Sequence, residues 1–261
     1  MTRCLGDSSV AVRNAAASAV SAIAKIELPI GLWDDLFVNL ESVIMNASLD
    51  PGARIACIET VRYICEDLPA MNDALSSTIL QLLLNVLSAE QPAEIWAEAV
   101  HALESALSFA ETFLQDSSQL LRLMQALLKA CCASELEVQC QGFDCLNIVF
   151  EDYYAKIGPF FEEFYKACEA ALCSDVSELS VRGALTLYTL LDVELELEQM
   201  GEPTLQLGKQ YGEKLARSLC SVMVKQDEDD AGETMTPPAA AATCLRALAE
   251  LLRNGSGAER R

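Results

Sequence analysis

The 261-residue chain carries 18 Lys and Arg against 39 Asp and Glu, a formal net charge of −21, while 52% of its residues are hydrophobic. Such a charge argues against nucleic-acid phosphate or anionic lipid as a partner and favours basic segments. The apolar fraction rules out a disordered acidic tail and requires a sizeable buried core.

Eleven cysteines accompany a single histidine, His101, and no two cysteines are spaced CxxC. A zinc cluster therefore lacks its usual ligand pattern, and no cofactor or metal is expected. Cys57 and Cys65 fall in an apolar helical pattern, as small core thiols of a reducing compartment do. Nor does any apolar run approach the roughly 18–20 residues of a membrane span, so no membrane insertion is expected.

In chain order, the first element is the apolar stretch AAASAVSAIA, residues 15–24. It has the look of a signal-peptide core, but the polar lead with Asp7 and Ser8 and its place in a repeat make it a helix. The sequons at Asn46 and Asn254 are then incidental. Five segments can be laid over one another: VRNAAASAVSAIAK from Val12, ARIACIETVRYICEDL from Ala53, IWAEAVHALESALSF from Ile95, VQCQGFDCLNIVFEDY from Val138 and VRGALTLYTLLDVEL from Val181. Their starts lie 41, 42, 43 and 43 residues apart, and a sixth, PAAAATCLRALAELL, follows from Pro238. Between them the pattern predicts helices over 32–47, 72–88, 118–132, 159–173 and 207–224. Asp50-Pro51-Gly52 and Gln91-Pro92 stand where helices start. The alternating VELELE, 193–198, continues a helical pattern and is taken as the frayed end of a helix.

Two helices per period of about 41–43 residues is the arithmetic of an all-α, right-handed superhelical solenoid of HEAT repeats. The expected organisation is one solenoid over 1–253, about five and a half repeats cut from a longer array, with a disordered tail over 254–261. The array opens on a second helix without its first. The acidic stretch KQDEDDAGETMTPP lies at 225–238. It falls between the paired helices of the last repeat, with its loop over 226–236, and so is not a domain boundary.

No GxSxG, phosphate-cradling glycine loop or His–carboxylate pair occurs, so the chain is not expected to be an enzyme. Glu59, Glu66 and Glu104 fall on the non-core face of second helices and make an acidic concave face. Along 72–88, Leu75, Ile79, Leu82, Leu83, Val86 and Leu87 form a core stripe. At 100° per residue, Leu80 and Leu84 point away from its middle, which predicts exposed apolar side chains in a groove.

CIETVRYICEDLPA at 57–70, Tyr153-Tyr154 followed by GPFFEEF, and VKQDEDD with its CLRALA sequel resemble the importin-β (karyopherin-β) family, from about the third to the eighth HEAT repeat. The resemblance implies a nuclear import receptor of cytoplasm and nucleus, including the nuclear pore. Importin-α or basic cargo segments would bind the acidic face, Phe-Gly nucleoporins the outer face, and Ran-GTP the acidic loop, in part because the first repeats are absent. Carried over, the loop is Asp227, Glu228, Asp229, Asp230 and Glu233, and Met235-Thr236-Pro237 stands where the family has a tryptophan. The nucleoporin pocket falls on Ile79, Leu80, Leu83, Gln119 and Leu123, with Arg122 where the family has an aromatic. The alternative is a generic HEAT scaffold subunit of a multiprotein assembly.

Overall fold

The computed structural model describes residues 2–33, 35–68, 70–224 and 235–258, and contains eleven α-helices and no strand among them. They are α1 Val10–Glu27, α2 Leu36–Ile44, α3 Pro51–Asp67, α4 Asp73–Ser88, α5 Ala93–Leu107, α6 Ser117–Cys131, α7 Leu136–Asp152, α8 Phe161–Leu172, α9 Ser177–Met200, α10 Leu207–Met223 and α11 Pro237–Ala258. The paired-helix reading of the period is thus the observed order. The chain divides into two compact units, Met1–Ala126 and Leu127–Arg261.

In the first unit, α1, α3 and α5 lie side by side as one layer, with α2 and α4 packed against them as the other. Local chemistry sets the ends of these helices. Asp50 accepts the Ala53 N–H at 3.3 Å with Pro51 in the first turn, and Asn72 accepts the Leu75 N–H at 2.9 Å. Each such cap stabilises its helix by about 1 kcal/mol. α2 is shorter than the 32–47 expected, because a 3-10 turn over Leu28–Ile30 ends on Gly31 in the left-handed region, φ 69°.

One contact recurs in four successive repeats. A side chain early in the second helix of each donates to a carbonyl at the end of the preceding element. Arg54 Nε reaches Ile44 O at 2.6 Å and Trp96 Nε1 reaches Leu87 O at 3.1 Å. Gln139 Nε2 reaches Cys131 O at 3.4 Å and Ser180 Oγ reaches Leu172 O at 2.7 Å. These groups answer carbonyls that a helix end leaves without a partner. Arg13 Nη1 does the same to Asp7 O at 2.8 Å, just past a 3-10 turn, Thr2–Gly6, that buries Leu5 where a first helix would end. The series Arg13, Arg54, Trp96, Gln139 and Ser180 fixes the register. It places the fifth segment two residues earlier than the alignment on Val181.

In the second unit, α7, α9 and α11 form one layer, with α8 and α10 against it. Close approach here depends on two glycines. A Cβ on Gly142 would lie 2.8 Å from Cys131 N, and one on Gly183 would lie 2.9 Å from Cys168 O and Leu172 N. Because those neighbours are backbone, the helices must shift to admit a methyl group. Gly142→Ala and Gly183→Ala are each expected to cost about 1–3 kcal/mol despite the better helix propensity of alanine. Urea unfolding of each variant checks this, and a stabilised variant would contradict the tight packing.

VELELE is helical as expected but not frayed: Glu194 and Leu195 are buried inside α9. Glu194 Oε1 accepts the Leu207 N–H at 2.6 Å and the Tyr154 hydroxyl, and Oε2 accepts the Gly208 N–H at 2.9 Å. The carboxylate therefore caps α10 across the connection through Gln206, whose φ of 56° is left-handed. At the other end, α11 continues to Ala258, five residues into the expected tail. Extending an existing helix is far cheaper than nucleating one, so the glycines there do not stop it. No described helix is long and apolar enough to cross a membrane.

Candidate functional site

On the second-helix layer of the first unit, Arg62 organises the acids. Its Nη1 donates to Glu66 Oε1 at 2.9 Å and its Nε donates to Glu98 Oε1 at 3.1 Å, linking α3 to α5. The guanidinium also sits 4.7 Å from the Tyr63 ring centroid. Ser105 Oγ adds a long contact of 3.5 Å to Glu66. Glu59 is half-buried beside this group, and Glu104 is half-buried on α5. The structure thus gathers Glu59 and Glu66 and adds Glu98 and Arg62, which the sequence reading did not single out. A signal was present: Arg62 lies three residues after Glu59 and four before Glu66, the spacing at which helical side chains meet.

The second unit repeats the device. Arg182 Nη1 pairs with Asp144 of α7, and its Nη2 lies 3.5 Å from Glu178 Oε1. Along the same two helices, Glu151, Tyr188, Asp192, Glu196 and Met200 help to line an open hollow of about 440 Å³. Burial, then Asp192, push the Tyr188 hydroxyl above its ordinary pKa. The hollow is acidic at its walls and apolar at its Met200 rim, and the sequence reading passed over it.

The first-helix layer departs from expectation. Leu80 and Leu84 are 1% and 0% exposed, and Ile79, Leu83 and Leu123 are buried with them. The exposed apolar groove inferred from the helical wheel is not there. α4 packs against α5 on one side and α2 on another, so two sides of it are covered. The same layer carries a polar ladder. Asn85 Nδ2 donates to Glu41 Oε1 at 2.8 Å, Gln81 Nε2 donates to Asn85 Oδ1 at 3.1 Å, and Arg122 Nη2 donates to the same oxygen at 2.9 Å. Arg122 Nη1 also reaches Gln119 Oε1 at 3.1 Å. Beside the ladder, Ser77, Thr78 and Gln81 of α4 face Thr112, Phe113, Asp116 and Gln119 across a hollow of about 450 Å³. The loop acids Asp227, Glu228, Asp229, Asp230 and Glu233 lie outside the described residues.

No family model matches the chain. The importin subunit beta-1 of Saccharomyces cerevisiae (strain ATCC 204508 / S288c) is 24% identical over 253 residues, covering 92% of this chain and 29% of that protein. The chain thus resembles importin subunit beta-1. It therefore spans about three-tenths of the length of the curated relative it matches. Among solved structures, a Kap95:Nup1 complex superposes with a TM-score of 0.86 at 24% identity, over 95% of this chain and 30% of that one. A structure of Kap95p with RanGDP gives 0.83 at 23% identity, over 97% and 30%. At those identities the structures establish the fold, an all-α solenoid of paired helices.

Electrostatics single out Glu59 in the acidic group around Arg62. Burial first, and then the neighbouring Glu98, raise its carboxyl above the ordinary value, while Arg62 and Arg13 pull it down. A raised carboxyl pKa means that the folded chain holds more protons than the unfolded one, so stability falls as pH climbs through that window. An arriving ammonium or guanidinium reverses the shift and releases the proton. Affinity for a basic peptide is therefore expected to rise with pH across about pH 4 to 7, less steeply in Glu59→Gln. Fluorescence anisotropy over that range checks the sign, and identical profiles for the two proteins would contradict it.

The cysteines do not offer a reactive centre. Burial pushes the Cys57, Cys65 and Cys244 thiols up to about 12, which leaves them protonated at neutral pH. None of the eleven forms a disulfide, and Cys4, Cys132, Cys173 and Cys220 lie at the surface.

Proposed function

We propose that this chain is a segment of a nuclear import receptor, and that its second-helix face binds basic segments of importin-α or of cargo. The observation that carries this reading is the match to importin subunit beta-1 over 92% of the chain. The charge geometry supports it. Around Arg62, three acids share one cation, and around Arg182, Asp144 and Glu178 share another. Such a surface keeps surplus negative charge while its arginines hold neighbouring helices in register. The acidic hollow at Tyr188, Asp192 and Glu196 suits one Lys or Arg side chain, with the ring and Met200 covering its methylenes.

The same reading gives the acidic loop, Asp227 to Glu233, a role in meeting a basic partner or Ran in its GTP form. It gives the first-helix layer, at Ile79, Leu80, Leu83, Gln119 and Leu123, a role in meeting Phe-Gly nucleoporins. The related Kap95 is seen in a complex with Nup1 and in a structure with RanGDP, which fits both roles. The protein would then work in cytoplasm and nucleus, including the nuclear pore, without catalysis. A second reading, a HEAT scaffold subunit with no Phe-Gly site, draws on one observation: the polar ladder on the helices that carry those residues.

A pull-down on immobilised chain tests the reading. A basic importin-α segment should be retained, and its retention should drop in a variant with Glu59, Glu66 and Glu98 changed to Gln. Equal retention by the variant would sink the second-helix face as the site.

A further inference from the structure

We propose that the Glu41–Asn85–Arg122 ladder is a latch, and that Arg122 sets the access of aromatic side chains to the first-helix face between α4 and α6. The inference rests on the reading of that face as a Phe-Gly site and adds how the site is controlled. Asn85 is the centre of the latch. Its Nδ2 donates to Glu41 of α2 at 2.8 Å, while its Oδ1 accepts both Gln81 at 3.1 Å and Arg122 of α6 at 2.9 Å. One amide thus joins three successive first helices, with a carboxylate at one end and a guanidinium at the other. Arg122 is held at its second nitrogen by Gln119, 3.1 Å away.

On the same two helices Ile79, Leu83 and Leu123 are each no more than 1% exposed. A phenyl ring gains from those apolar side chains only by parting α4 from α6. Parting them breaks the Arg122–Asn85 bond and strands a half-buried guanidinium. The open hollow alongside shares Gln81 and Gln119 with the latch and has Phe113, 8% exposed, in its wall. It gives a ring a place to lodge first, so entry is a two-step event with Arg122 between the steps. Asn85 loses one of its two donors in the open state, while Gln81, on the same helix, and Glu41 of α2 stay with it.

The test uses the full chain and a fluorescein-labelled peptide with two Phe-Gly repeats, read by anisotropy. Arg122→Ala should bind about ten-fold tighter than the original chain, the effect of removing one charge-assisted hydrogen bond from the closed state. Adding Gln119→Trp, which fills the hollow, should return the affinity to the original level or below. Because Arg122 is half-exposed, its loss should leave the fold intact, and circular dichroism with Arg122→Gln as a milder companion checks that. If the original chain binds the peptide and Arg122→Ala binds it equally or less tightly, the latch is wrong while the Phe-Gly reading stands. If neither protein binds it, the Phe-Gly reading itself fails and the latch with it.

Discussion

Replacing Glu194 with Ala is expected to destabilise the second unit by about 3–5 kcal/mol. The carboxylate is 1% exposed and accepts the Leu207 and Gly208 N–H groups and the Tyr154 hydroxyl. Its negative charge lies at the start of α10, where the helix dipole favours it. Removal leaves three buried donors without an acceptor, each costing about 1–3 kcal/mol. For a unit of this size the loss corresponds to a fall in Tm of about 10 °C. Tyr154→Phe removes one arm, leaves the Leu205 N–H, now 2.7 Å from the hydroxyl, without its partner, and should cost less. Because the two residues share one network, their effects should not add. Thermal melts and a double-mutant cycle measure this, and an additive pair or a loss under 1 kcal/mol for Glu194→Ala would contradict a cap shared by these groups.

The affinity for a basic segment is expected to fall about 100-fold between 0.05 M and 0.5 M salt. Exposed ion pairs each contribute about 0–1 kcal/mol, so useful affinity requires several acting together. The net charge of −21 adds long-range attraction that speeds encounter. Both contributions shrink as the Debye length falls from about 10 Å at 0.1 M to roughly 4–5 Å at 0.5 M. The intramolecular pairs work the other way. Arg62 already engages Glu66 and Glu98, so an incoming cation competes with it for those oxygens. Glu59, whose carboxyl is raised first by burial and then by Glu98, is stabilised in its charged form by an added cation.

The sequence showed most of the fold because a repeat proclaims itself several times. Predicted helices at 118–132 and 207–224 are observed as Ser117–Cys131 and Leu207–Met223. What it hid were features that depend on a neighbour rather than on a helix's own period. Arg54, Trp96, Gln139 and Ser180 do one job with four different side chains, so no residue type marks the position. Glu194 reads as one more surface acid in VELELE until α10 is seen capped on it. Leu80 and Leu84 misled for the converse reason. A helical wheel assumes one buried side, and α4 in its layer has two. Of the group at Arg62, the sequence offered Glu59 and Glu66, but not Glu98 or the arginine that joins them.

The most direct test of the second-helix face is a titration of a labelled basic importin-α segment at 0.05 M and 0.5 M salt. It compares the original chain with the Glu59→Gln, Glu66→Gln, Glu98→Gln variant and with the acids at 227–230 and 233 neutralised. Tight binding at low salt that collapses at high salt, and weakens in each variant, is the predicted result. Binding indifferent to salt, or unchanged when both sets of acids are neutralised, would contradict the account.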